Sequence, residues 1–351
     1  MHTHKAKIAA LLALGLVLVG CSGTDAPADP ELPGGGELFV RTAVGAYQDY
    51  EEQYIVPAFQ EVSPGTKVTF TGGTTAETVT KLLIEKDGVG TYDFVTITMT
   101  DIARLIDAGV LEKLDKSKIS RWDTLKPNLI NDYCVAQDHS PITIVYNPEA
   151  VDDAPTSWSD AFTPDVLKES GTFPNWISYI YYASAAGEAG GDPGNDWSAG
   201  YDQALEAAKS MHLYGSGDQV GQALMAGEIN YNIVQRARAA QYAEQSGIDF
   251  QSVVPEEGTY EFVDYMCIPA NAENKEAAYV YLNTRLDPQI QEDWAKAFYF
   301  APSVTTAELS PELDAAINVS ADEEKLIYSV DWPAIQEDLA KMRELWDKAI
   351  S

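Results

Sequence analysis

Apolar and polar positions along this chain switch repeatedly between a period of two and a period near 3.6, and the switches divide it into elements. Short runs at 37–42 (ELFVRT), 66–71 (TKVTFT) and 92–96 (YDFVT) read as strands. Helical spacing follows each of them, at 47–61, at 74–86 behind the turn Gly72-Gly73, and at 101–108. Further strands are predicted at 142–146 (ITIVY), 228–234, 249–254 and 261–268 (EFVDYMCI). Helices are predicted at 199–211, 219–226, 275–285 and 288–298. The tail at 333–350 places Ile335, Leu339, Met342, Leu345, Trp346 and Ile350 on one helical face. Strand–helix alternation of this kind predicts a parallel α/β sheet with its ligand loops at the carboxyl ends of the strands.

The first residues follow a different pattern. Lys5 and Lys7 precede an apolar run at 8–19 that is shorter than the roughly 20 residues needed to cross a bilayer. The run reads as an export signal, and its end, Leu18-Val19-Gly20-Cys21, resembles a bacterial lipobox. That resemblance implies cleavage before Cys21, a lipid on its thiol, and a position on the outer face of the cell membrane. The next stretch, SGTDAPADPELPGGG, has no apolar period and reads as a disordered tether over 21–36.

Charge and chemistry narrow the function. With 54 acidic against 23 basic residues, the 351-residue chain carries a formal charge of −31, which repels nucleic acid. Beyond the leader the chain holds only two histidines, His139 and His212. It has no HExxH, CxxC or GxSxG and no phosphate-cradling GxxxxGK[ST] loop, so neither a metal nor a cofactor is expected. Cys134 and Cys267 are far apart in sequence; spacing leaves a disulfide open, and two buried free thiols are the expectation. Three strand-to-helix loops, 42–47, 72–75 and 96–101, are rich in small or hydroxyl residues and suit a polar ligand, although N-capping alone would also account for each.

Taken in order, these segments resemble a bacterial solute-binding protein of an ABC importer, in the spermidine/putrescine-binding-like branch. The resemblance rests on RTAVGAYQDYEEQYIVPAFQEVSPGTKVTF, TGGTTAETVTKLL, YDFVTITMTDIARLIDAGVLEKLD, IVYNPEAVDDAPTSWSDAF and FVDYMCIPANAENKEAAYVYLNTRLDPQIQEDWAKAFYFAPS. It implies a two-lobed periplasmic-binding-protein fold of type II, with hinge-connected lobes around a ligand cleft. One lobe would hold 37–140 and 263–351, the other 141–262, after a signal at 1–20. It also implies a monomer that captures a small organic solute without altering it and hands it to separate permease and ATPase subunits.

Carried over position by position, the resemblance puts Asp264 at an acidic ligand contact, Phe262 at an aromatic wall and Tyr299 at a second aromatic contact. Thr98 and Thr100 fall on a polar loop, Thr42, Gly45 and Tyr47 on the first loop, and Thr74 on the second. Trp176 adds an aromatic, whereas Gln235 and Arg236 stand where polyamine binders carry an aromatic residue. These residues favour an amine, because an ammonium is held by carboxylates and aromatic faces. A small carboxylate, zwitterion or phosphonate paired with Arg236 or Arg238 is the alternative, and an anchored enzyme is the reading from another class. The Tyr181-Tyr182 pair invites a ferric-iron reading, which Gln235-Arg236 argues against.

Overall fold

The computed structural model describes residues 36–174 and 177–351; the leader, Cys21, the tether up to residue 35 and Trp176 lie outside the described residues. Strands β1 (Gly36–Arg41), β2 (Thr66–Phe70) and β3 (Phe94–Thr98) are parallel, with β1 between the other two. The chain then runs through β4 (Cys134–Tyr146), β5 (Gly171–Thr172), β6 (His212–Leu213), β7 (Tyr231–Gln235) and β8 (Gln251–Val253). It returns through β9 (Glu261–Cys267) and ends its strands at β10 (Ala301–Pro302).

Within the main sheet, the parallel arrangement expected from alternation holds for the first three strands only, and β5 and β6 form a separate parallel pair. β9 inserts antiparallel beside β3, and β4 lies antiparallel to β9, so the main sheet is mixed. The physical reason is that β9 comes back from the far side of the molecule instead of following a local crossover helix.

β4 positions the site. Its first part, from Cys134 to Pro141, pairs with β9, and its second part, from Ile142 to Tyr146, pairs with β7 and β8. β4 thus carries the sheet from one apolar core to another. One core gathers Leu38, Phe59, Phe94, Tyr281 and Trp294; the other gathers Trp158, Tyr181, Trp197, Leu224 and Trp346. The second is joined by the C-terminal helix Trp332–Ala349, which buries Ile335, Leu339, Met342 and Trp346. Tyr182, on the helix Ile177–Glu188, donates to the Met342 carbonyl at 3.1 Å.

The predicted helix at 47–61 is continuous but not uniform. A π-helical stretch, Glu51–Ile55, separates Ala46–Tyr50 from Val56–Val62. Pro57, without an N–H, sits at the start of the last segment, where an ordinary α-helix would need a donor. The predicted helices at 275–285 and 288–298 are found as Lys275–Arg285 and Pro288–Phe298, capped by the side chains of Asn274 and Asp287.

The expectation of free thiols is overturned. Cys134 and Cys267 are register partners on β4 and β9, their Cα atoms are 4.6 Å apart, and they form a disulfide. The bridge spans a sequence separation of 133, a long loop whose closure restricts the unfolded chain. Reduction, or Cys134→Ala with Cys267→Ala, is expected to cost about 3–5 kcal/mol in denaturant unfolding. An unchanged midpoint would show that the bridge contributes nothing to stability.

Candidate functional site

The site starts from three residues in a row across adjacent strands. Thr98 at the end of β3, Asp264 on β9 and Asp138 on β4 are direct register partners. Cross-strand partners share one face, with Cβ atoms about 4.5–5.5 Å apart. The Thr98 hydroxyl donates to Asp264 Oδ1 at 3.0 Å. Asp138 Oδ2 accepts from Trp294 Nε1 at 2.7 Å and from Gln137 Nε2 at 3.0 Å. Its other oxygen, Oδ1, is buried with no hydrogen-bond partner among the described residues.

Electrostatics set this pair apart. Burial raises the pKa of Asp138, and the neighbouring Asp264 raises it further. Burial also raises Asp264, while the Thr98 hydroxyl and the guanidinium groups of Arg41, Arg238 and Arg285 pull it back down. Both carboxyls thus have higher pKa values folded than unfolded. Such groups leave stability intact below the unfolded carboxylate range and remove it as the pH rises through their folded values. Asp138→Asn is therefore expected to melt close to wild type at pH 4 and above it at pH 7.5. A gap between the two proteins that stays constant with pH would contradict the raised pKa.

Aromatic rings stand beside the pair. Tyr47 packs on Trp294 at 5.4 Å and on Phe298 at 4.5 Å between centroids, and Tyr50 meets the same two rings edge-on. Burial pushes the Tyr47 phenol upward, with Asp138, Asp264 and Asp218 adding to the rise and Arg238 opposing it. Behind Trp294 lies the Arg285 guanidinium, 4.8 Å from its ring and paired with the fully buried Glu51.

The sequence-derived residues divide into several groups. Thr98, Asp264 and Tyr47 come together with Asp138. Phe262 lies two residues before Asp264 on the same face of β9, opposite Ser140 and 6.4 Å from the Phe300 ring. Thr42 is buried at the end of β1. Gly45 starts the first helix at φ 85°, a left-handed conformation that glycine adopts without strain.

Thr74 is an exposed N-cap in a reciprocal pair with Glu77, and its hydroxyl is spent on the helix. Thr100 lies 3.5 Å from Asp101. Gln235 is buried at the start of the helix Arg236–Ser246, with Oε1 unpartnered among the described residues.

Arg236 and Tyr299 are placed elsewhere. Arg236 pairs with Glu323 and donates to the Asn318 carbonyl at 2.7 Å. It lines a separate cavity of about 710 Å³ with Tyr299 and Glu244. Arg236 and Arg238 lie two residues apart on one helix and so point in nearly opposite directions; the one acting on Asp264 and Tyr47 is Arg238. Asp138, Trp294 and Arg41 were not visible as site residues in the sequence, because none sits in a loop or motif that marks it. Among the described residues, no group of His, Cys, Asp and Glu is arranged to hold a metal ion.

Two lobes joined by crossing strands, with ligand-type side chains on the crossing strands, define a periplasmic-binding fold of type II. Solved structures share it: the Atu4243-GABA receptor has a TM-score of 0.77 at 22% identity, covering 90% of this chain and 98% of that one. The spermidine/putrescine ABC transporter substrate-binding protein PotD of Streptococcus pneumoniae has a TM-score of 0.72 at 19% identity, covering 88% and 99%. Residues 54–321 match the model of the bacterial extracellular solute-binding protein family, and the chain belongs to that family. Among its relatives, the spermidine/putrescine-binding periplasmic protein of Salmonella typhimurium is 29% identical over 279 residues, 74% of this chain and 78% of the relative. The putrescine-binding periplasmic protein SpuD of Pseudomonas aeruginosa is 27% identical over 245 residues, 61% and 64%. Members of this family bind small solutes outside the cytoplasm, and those of ABC importers deliver them to permease and ATPase subunits.

Proposed function

We propose that this protein captures a small amine between its lobes and hands it, chemically unchanged, to the permease of an ABC importer. The observation that carries the ligand class is the orphan Oδ1 of buried Asp138 beside Asp264. A buried carboxylate oxygen without a donor costs free energy, and an ammonium bridging the pair supplies both the donor and the charge. The ring cluster of Tyr47, Trp294 and Phe298 fits the same cation. Binding of polyamines by relatives in the family supports this reading.

In this account the lobes divide at β4 and β9, and the C-terminal helix 332–349 belongs with the lobe of β7, whose core it fills. The chain works as a monomer, held to the outer face of the membrane through lipid on Cys21 and the tether behind it. No bond is made or broken in the site.

A thermal-shift screen over amines, amino acids, phosphonates, sugars and ferric iron tests the ligand class. A ligand at 100 times its Kd adds about 2.7 kcal/mol of stability, which raises the melting temperature by several degrees. The expected hits carry an ammonium group. Stabilisation by iron, sugars or phosphonates alone would overturn the reading.

A further inference from the structure

The amine reading leaves unused a cation whose charge acts on Asp264 from the helix after β7. Arg238 stands in the first turn of the helix Arg236–Ser246. That helix begins against the hinge, where the Ala237 N–H donates to Ser140 Oγ at 3.0 Å, and Ser140 is the register partner of Phe262. The Arg238 Nη1 donates to Gln241 Oε1 at 2.7 Å, and Gln241 in turn donates to the Phe298 carbonyl at 2.6 Å. Arg238 is thereby tied through Gln241 to the backbone of Phe298, whose ring packs on Trp294, the donor to Asp138.

No carboxylate of the protein lies within 4.0 Å of Arg238 among the described residues, whereas Arg121, Arg236 and Arg285 each have one. Its remaining N–H groups are a fork that matches a carboxylate.

Charge counting points the same way. Asp264 is acted on by two guanidinium groups, Arg41 from the end of β1 and Arg238 from the helix after β7, while burial and Asp264 hold the neighbouring Asp138 toward its neutral form. Arg41 is held by the carbonyls of Thr96 and Gly73 and by Thr75 Oγ1, again without a carboxylate partner. The Glu51–Arg285 pair neutralises itself, and Asp218 acts on Tyr47 from the exposed rim. With at most these carboxylates set against the two guanidinium groups, the site has no surplus negative charge for the second ammonium of a diamine, and it suits a solute that carries its own carboxylate.

We infer that the solute is a zwitterion, its ammonium seated at Asp264 and Asp138 and its carboxylate held by Arg238. This inference rests on the amine reading above and adds the second end of the ligand. The test compares calorimetric titrations of linear ω-amino acids of four to six carbons with those of diamines of equal length, on wild type and on Arg238→Met. Melting curves establish that the variant is folded.

Wild type is expected to bind at least one of the amino acids about 10-fold or more tightly than its diamine. Arg238→Met is expected to lose about 30-fold or more for that amino acid and nothing for the diamine. Diamine binding with no amino-acid binding, or equal losses for both ligands in the variant, would overturn the zwitterion while leaving the amine reading standing. Absence of binding by either class to wild type would overturn both.

Discussion

Asp264→Asn is expected to lose amine affinity by about 100-fold or more while the unliganded protein folds at least as stably as wild type. Removing one partner of a desolvated charge pair costs about 2–5 kcal/mol of binding, a factor of roughly 30 to several thousand. The upper part of that range is expected here because Asp264 is the middle residue of the Thr98–Asp264–Asp138 row. The fold itself has no need of the charge. Burial already disfavours it, and an asparagine keeps an oxygen for the Thr98 hydroxyl. The two measurements must therefore move in opposite directions: calorimetric affinity down, melting temperature level or up. A variant that binds amines like wild type would remove Asp264 from the site, and one that merely unfolds would assign it a structural role.

The second large effect lies one layer deeper. Glu51 and Arg285 form an ion pair that is almost wholly buried, and Tyr281 donates to the same carboxylate at 2.6 Å. Glu51→Leu leaves a guanidinium without its counter-charge in the core, and about 3–5 kcal/mol of stability is expected to go with it. Combining Glu51→Leu with Arg285→Met removes both charges and is expected to recover most of that loss in urea unfolding. The double variant should bind ligand less well even so, because Arg285 lies against the Trp294 ring whose N–H holds Asp138. If the double variant were as unstable as the single one, the pair would owe its place to packing and not to charge.

Much of the scaffold is legible in the sequence, for reasons that differ from element to element. The helices at 275–285 and 288–298 announce themselves through Asn274, Asp287 and Pro288 at their starts, so their bounds agree with the structure. The opening strands follow from β-branched and aromatic runs between turns. The first half of β4 does not. Its QDHSP stretch is polar and contains a proline, which no strand pattern would accept, yet all of β4 is buried. The polarity belongs to pairs made across the strands: Asp138 is the register partner of Asp264, and His139 lies 3.1 Å from Glu261.

Asp264 stands out in the sequence as a candidate because its strand resembles that of known solute receptors. Asp138 escaped because nothing local distinguishes it from the other acidic residues of so acidic a chain. The roles of Arg236 and Arg238 could not be separated either, since two residues on a helix differ only in the direction they face. The disulfide is likewise settled by register on β4 and β9 and by nothing in the spacing of its cysteines.

The central claim is that an amine is gripped at the Asp138–Asp264 pair and released unaltered. Calorimetric titration of the wild-type protein with the best amine from the thermal-shift screen tests it most directly, because heat flow reports binding and turnover together. A one-to-one isotherm that falls to the heat of dilution once the site is full is expected. A steady heat flow after saturation would reveal chemical conversion, and a flat trace would mean that the cleft does not hold the amine at all; either result contradicts the account.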